Sequence, residues 1–233
     1  MSGPPGSDST ETLLVLAKEP VPGRVKTRLC PPCTPAQAAA LATAALADTL
    51  DAAVASRARR VVLALDGRTG PWCPRRVEVV DQGSGPLDRR LTTAWAAATS
   101  GPAVLIGMDT PQVTAADLDE ALGALADHDS VLGPAADGGW WSLGLRRPHP
   151  HAFVGVPMSR ADTGSRQRER LTALGLRPAI GPVRTDVDTW ADALAVARAA
   201  PGGRFAAAVA ALRPGRDAPI GATPVWTAGG GAA

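Results

Sequence analysis

The sequence predicts an α/β protein built on a mostly parallel sheet that is covered on both faces. Two observations lead there. Apolar runs of strand length alternate along the chain with segments of helical pattern long enough to cross from one strand to the next. The first such run, Leu13 to Ala17, breaks off at Pro20, Pro22 and Gly23 into a loop carrying Lys18, Arg24, Lys26 and Arg28. In an open α/β sheet the carboxyl ends of the strands are where ligands sit.

The elements follow in order. Thr34-Pro35 caps and opens an Ala/Leu helix that runs to about Ser56, with proline near the first helical position. Arg60 to Asp66 (RVVLALD) reads as a second strand and Val77 to Asp81 (VEVVD) as a short third. Leu87 to Thr99 has helical pattern, and Ala103 to Met108 (AVLIGM) is a further buried strand. Thr114 caps a helix reaching Asp127, with acids in its first turn. Ser130 to Ala135 and Trp140 to Leu145 read as strands flanking Gly138-Gly139. Thr163 to Gly175 is a charged helix, Ala179 to Val187 a strand, Thr189 to Ala199 a helix, and Arg204 to Leu212 a last helix. One domain over 11–213 is expected, between tails at 1–10 and 214–233 whose Gly, Pro, Ala and Ser content predicts disorder.

Composition narrows the function. The 233 residues are 45% hydrophobic and 20% charged, enough for one sizeable core. A formal charge of only +2 argues against a general nucleic-acid binder, and aromatics at 3% with no Tyr argue against base-stacking platforms. No window approaches the roughly 18 uninterrupted apolar residues of a membrane span. The start MSGPPGSDSTE lacks a basic region followed by an apolar core, which points to a cytoplasmic protein. Three cysteines make no disulfide framework. Cys30-Pro-Pro-Cys33 has redox or metal spacing, but without a second Cys or Cys/His pair it reads better as two small residues in a loop.

The basic loop repels itself unless an anion joins it, and phosphate suits an Arg fork and a Lys point charge. Asp109, in Gly107-Met108-Asp109-Thr110-Pro111, ends the fourth strand and faces the same crevice. Beside phosphates an Asp is repulsive unless a divalent cation bridges them, and Mg²⁺ takes one or two carboxylates with phosphate and water oxygens. Asp137-Gly138-Gly139 and Asp186-Val187-Asp188 end two further expected strands. Thr110 and Thr189 are alternative helix caps, which would make their aspartate neighbours ordinary turn residues.

The ordered segments LAKEPVPGRVKTRL, QGSGPLDRRL (Gln82 to Leu91), GMDTP (Gly107 to Pro111), GPAADGGWWSLGL (Gly133 to Leu145) and DVDT (Asp186 to Thr189) resemble the bacterial transferase family DUF2064 over about residues 12 to 200. That family lies in the nucleotide-diphospho-sugar transferase superfamily, is often labelled as glycosyltransferases, and is distantly similar to 2-phospho-lactate guanylyltransferase. The resemblance implies a GT-A-type, Rossmann-like three-layer α/β/α fold with a mostly parallel mixed sheet. It implies a nucleotide over the first half of the sheet, held by Ala17, Lys18, Gly23, Arg24, Lys26, Arg28, Gln82, Gly83 and Gly85. It also implies a metal, Mg²⁺ or Mn²⁺, at Asp109, with Asp186 or Asp188 as a second ligand. The acceptor half would comprise Asp137, Gly138, Gly139, Trp140, Trp141, Ser159 and Arg160. Adjacent strand residues face opposite ways, so one of Trp140 and Trp141 packs inside while the other lines the acceptor pocket. Arg160 either grips an acceptor phosphate or carboxylate or pairs with Asp162 at the surface.

Two chemistries fit. In nucleotidyl transfer an acceptor phosphate attacks the α-phosphorus of a nucleoside triphosphate and pyrophosphate leaves. Lys26, Arg28 and a metal on Asp109 would then stabilise charge that builds only in the transition state. In glycosyl transfer from a nucleoside diphosphate sugar, a metal diphosphate leaves instead. The dense basic loop favours the first and the family's usual label the second. A non-catalytic nucleotide-binding module and a thiol-redox protein remain as further readings. The expected partners are a nucleotide and a small-molecule acceptor, with neither nucleic acid nor membrane; a homodimer is compatible with the sequence.

Overall fold

A computed structural model describes residues 10–96 and 101–212. The strands are β1 (Thr12–Lys18), β2 (Arg60–Asp66), β3 (Glu78–Asp81), β4 (Ala103–Gly107), β5 (Ser130–Pro134), β6 (Trp140–Leu145) and β7 (Pro178–Ile180). The helices are α1 (Pro35–Ala55), α2 (Leu87–Ala96), α3 (Ala115–Ala124), α4 (Thr163–Ala173), α5 (Trp190–Ala199) and α6 (Arg204–Ala211), with a short 3-10 turn at Thr27–Leu29. The expected tails lie outside the described residues, Thr10 apart, and so does the last part of the helix expected to reach Thr99.

The strands form one sheet in the order β3-β2-β1-β4-β6-β5-β7. β3, β2, β1 and β4 run parallel, β6 is antiparallel to both β4 and β5, and β7 is parallel to β5. The mixed, mostly parallel sheet expected from the sequence is therefore present. After β1 the chain builds outward through β2 and β3, then returns to place β4 on the other side of β1. That reversal opens a crevice at the carboxyl ends of β1 and β4.

Period-two alternation sorts the core into layers. Along β1, Leu13, Val15 and Ala17 face α1 and α3 and pack with Leu46, Leu50, Leu118 and Leu122. Leu14 faces the opposite layer with Leu91 and Trp95 of α2, Phe153, and Leu171 of α4. A third cluster lies outside α1, where Leu41 and Ala45 meet Val187, Val196 of α5 and Phe205 of α6. α1 is long and apolar enough to cross a membrane, but 61% of its apolar window is buried inside this fold, between the sheet and the α5–α6 layer.

Local chemistry sets the helix starts. Thr34 accepts from the Gln37 amide at 3.2 Å while the Gln37 side chain accepts from the Thr34 amide at 2.8 Å, a reciprocal capping box with proline behind it. Thr114 with Asp117 and Thr189 with Asp192 repeat the device on α3 and α5. Thr114 and Thr189 are thus caps, as foreseen, and the alternative Thr110 is not one. The strand expected over Ala179 to Val187 is cut to Pro178–Ile180. Gly181 and Pro182 end the ladder, since proline has no N–H to donate, and only an isolated bridge from Arg184 to Ala135 resumes it. Asp186 and Asp188 consequently lie on irregular chain, not at a strand tip.

Candidate active site

A cleft of about 630 Å³ opens at the β1/β4 reversal. Its walls are the loop after β1, the β3–α2 segment, the β4 tip, the β5–β6 turn, the chain before α4 and the Asp186–Asp188 segment. Ala17, Lys18, Arg24, Lys26, Arg28 and Gln82 line it, as do Asp109, Asp186 and Asp188, and on the far side Asp137, Gly139, Trp140, Ser159 and Arg160. The remaining candidates stand back. Gly23, Gly83 and Gly85 have φ of +77°, +76° and +104° and serve the turns that carry the lining residues. Gly138 does the same for the β5–β6 turn, and Trp141 is in the core with its indole N–H donating to the Pro182 carbonyl at 2.9 Å.

The cations of the first loop divide by partner. Lys26 has a left-handed backbone (φ +48°) that turns its side chain inward, where it is 8% exposed. Its Nζ lies 2.5 Å from Asp109 Oδ1 and donates to the Val187 carbonyl. Arg28 pairs with Asp188 at 2.7 Å but is 75% exposed, so that pair is weak and free to exchange. Lys18 and Arg24 line the cleft and form no ion pair among the described residues. Lys26 is therefore a buried cation held by Asp109 and a backbone carbonyl, while the exposed Lys18, Arg24 and Arg28 are the ones open to an anion.

Four carboxylates share the opposite side. The Val187 amide donates to the Asp109 carbonyl at 2.8 Å, stitching the Asp186–Asp188 segment to the β4 tip. Gln112 adds a bond to the Thr185 carbonyl at 2.8 Å. Held there, Asp186 is pushed up to about 7, first by burial and then by the charges of Asp109, Asp137 and Asp188, with Lys26 opposing. Its Oδ1 is buried without a hydrogen-bond partner. An orphaned, crowded carboxylate oxygen facing other carboxylates fits a cation. Among the described residues no three His, Cys, Asp or Glu side chains close into a cage. The three-carboxylate set Asp109, Asp186 and Asp188 is thus not preassembled, and a Mg²⁺ here would use one or two carboxylates and draw the rest of its shell from ligand and water.

On the far side the β5–β6 turn is tightly fixed. Asp137 Oδ1 accepts from the Gly139 amide at 2.8 Å, and the Gly164 amide donates to the Gly138 carbonyl at 2.8 Å. Gly138 (φ +88°) passes so close to Ala161 that an added Cβ would lie 2.0 Å from its carbonyl oxygen. Ser159 is itself left-handed, at φ +58°. Arg160 Nε donates to Asp162 Oδ1 at 3.0 Å, with Arg166 on the other oxygen at 2.6 Å. Of the two outcomes open to Arg160, the Asp162 pair is the one formed. Trp140 lines the cleft above Phe153, with ring centroids 6.3 Å apart.

Sequence reasoning missed Arg90, Leu87, Leu91, Met108, Met158 and Thr163, all of which line the cleft. Arg90 and its helix neighbours lie inside the QGSGPLDRRL segment, so the motif held the signal, but a charged helical residue reads as solvated surface. Cys30 and Cys33 are free thiols away from the cleft lining. Burial, and then Cys30, raise Cys33 above the ordinary thiol range, the reverse of an activated thiolate.

The sequence profile of the family described as "Uncharacterized protein conserved in bacteria (DUF2064)" matches residues 39–160. A 3-phospho-D-glycerate guanylyltransferase from Phenylobacterium zucineum (strain HLK1) is 33% identical over 209 residues, covering 81% of this chain and 91% of that protein. A structure from Desulfovibrio desulfuricans G20, assigned as a nucleotide-diphospho-sugar transferase, superposes with a TM-score of 0.79 at 25% identity, covering 87% of this chain and 95% of that one. A nucleotidyl transferase from Methanothermobacter thermautotroptrophicus shares the fold, with a TM-score of 0.52 at 15% identity over 80% of this chain and 95% of that one. The chain belongs to the DUF2064 family and is a transferase of the nucleotidyl or nucleotide-sugar class.

Proposed function

We propose that the protein transfers a nucleotidyl group from a nucleoside triphosphate, with guanosine triphosphate as donor, to a small phosphorylated acid, releasing pyrophosphate. One observation carries this reading: exposed cations after β1 face a crowded set of carboxylates across one cleft, with a carboxylate oxygen in Asp186 that has no partner. The guanylyltransferase relative supports both the donor and the acceptor class.

In that reaction an oxygen of the acceptor phosphate attacks the α-phosphorus, the α–β bridging P–O bond breaks, and its electron pair leaves with pyrophosphate. Arg28, Arg24 and Lys18 are the cations available to meet the charge that grows on the leaving group, and Arg28 can release Asp188 to do so at little cost. Lys26 holds Asp109 in place and offsets the repulsion among the acids. Asp109, with Asp186 or Asp188, would hold Mg²⁺ or Mn²⁺, which when bound neutralises phosphate charge and aligns the α-phosphate. Asp137, Gly139, Trp140, Ser159 and Arg160 line the side left for the acceptor.

The test is turnover. Each nucleoside triphosphate with Mg²⁺ is offered 3-phospho-D-glycerate and related phosphorylated acids, and pyrophosphate is measured. Asp109→Asn should abolish release while leaving the thermal midpoint nearly unchanged. The likeness to a nucleotide-diphospho-sugar transferase supports a second reading, glycosyl transfer. Release of a nucleoside diphosphate from a nucleotide sugar, with no pyrophosphate from any triphosphate, would install it in place of the first.

A further inference from the structure

We propose that Arg90 reads the base of the donor nucleotide and selects a purine with an oxygen at C6, with Gln82 as the residue that positions it. This rests on the nucleotide-donor reading above and adds the part of the donor that Arg90 meets.

Arg90, on the first turn of α2, lines the cleft. Its Nη1 donates to Gln82 Oε1 at 2.8 Å, and its Nε is buried with no acceptor. Among the described residues no carboxylate pairs with it. A guanidinium has five N–H donors, and one bond to a neutral amide leaves most of them unused. Such a group is costly to desolvate unless a partner arrives.

Gln82 fixes where that partner must be. The side chain is 1% exposed, and its Nε2 donates to the Ala17 carbonyl at 2.6 Å and the Ala64 carbonyl at 3.3 Å. With both amide hydrogens committed to carbonyls of β1 and β2, the amide oxygen can only face Arg90. The guanidinium is thereby tied to the β1–β2 side of the cleft. Of the cations proposed to face phosphate, Lys18 ends β1 and Arg24 and Arg28 lie on the loop after it, whereas Arg90 comes from α2. Apolar residues share this part of the lining: Leu87 and Leu91 stand near Arg90 along α2 and pack in one cluster with Leu16 of β1.

Apolar sides with one polar fork suit a flat heteroaromatic ring rather than a phosphate. Guanine offers two acceptors, N7 and O6, on the edge that a guanidinium matches, whereas adenine replaces O6 with a donor amine. One such pair discriminates roughly tenfold to a hundredfold.

Direct binding tests this without turnover. Calorimetry on the full chain compares GTP, ITP, ATP and 2-aminopurine riboside triphosphate, the last lacking O6. The parent should bind GTP and ITP alike and the other two roughly tenfold to a hundredfold more weakly. Arg90→Met should bind all four at the weaker level. Equal binding of GTP and 2-aminopurine riboside triphosphate by the parent would overturn the proposal, even if no Arg90 variant folded. So would an Arg90→Met protein that keeps the GTP preference, or one that changes only the acceptor KM. Selective GTP binding without pyrophosphate release would instead refute the transfer reaction and leave the role of Arg90 standing.

Discussion

Replacing Asp186 by Asn, in protein stripped of divalent ions, should make the fold more stable above neutral pH. The carboxyl is raised from an ordinary 3.8 to about 7 by burial and by Asp109, Asp137 and Asp188. A group that holds its proton more tightly when folded contributes stability that is full below 3.8 and is lost as pH rises through about 7. At 1.36 kcal/mol per pH unit that difference is an upper bound near 4 kcal/mol, and solvent screening of this half-buried carboxyl reduces it to about 2 kcal/mol. For a chain of this size that is roughly 4–8 °C in thermal midpoint. Asn keeps the shape and removes the charge. Thermal unfolding of parent and variant from pH 5 to 8.5 in chelator should show the variant ahead at pH 8, with the gap narrowing steadily toward acid. Added Mg²⁺ should raise the parent more than the variant at pH 8. A variant that is less stable than the parent at pH 8, or a gap indifferent to pH, would refute the argument and make Asp186 an ordinary ionised acceptor.

Three further outcomes are expected. Lys26→Met should lower stability by about 1–3 kcal/mol without divalent ions, because the Val187 carbonyl and Asp109 lose their buried donor. Saturating Mg²⁺ should recover part of that loss, and a denaturation midpoint unmoved by the substitution would rule out the role of Lys26 as the counter-ion. Gly138→Ala, forced against the Ala161 carbonyl, should displace the chain before α4 and raise the acceptor KM roughly tenfold or more, with donor affinity unchanged; steady-state kinetics on both substrates reads the split, and loss of donor binding would reverse the assignment of the two halves. Thr189→Ala removes the α5 capping box beside Asp188 and should cost about 1 kcal/mol in urea unfolding, a value near zero showing that packing alone holds the helix.

The fold was legible where one signal dominated a segment. RVVLALD and WWSLGL are bounded by charge or glycine and match β2 and β6 end to end. Thr-Pro at 34–35 and the threonine-to-aspartate spacing at Thr114 and Thr189 are local chemistry, and local chemistry survives folding. The failure at Ala179 to Val187 has the opposite cause. An apolar reading ran through Pro182, whose missing N–H breaks pairing, and the segment beyond is held by side chains from elsewhere. Arg184 pairs with Asp117 of α3, and Gln112 holds the Thr185 carbonyl.

In the site, charge was legible and partnership was not. The sequence places four cations on one loop, and nothing local distinguishes Lys26 from its neighbours. Its partners lie across the chain, at Asp109 and Val187, and the left-handed turn at Lys26 decides which cation is drawn inward. The consequence is a division of labour within a single loop. One buried lysine steadies the acids that repel each other around Asp186, and the exposed Lys18, Arg24 and Arg28 are left for an anion. Arg90 was obscured for the same reason. Its meaning comes from Gln82, whose amide is turned by carbonyls on two other strands. A residue's charge can be read from its letter, but whether that charge is spent or available depends on contacts that only the fold supplies.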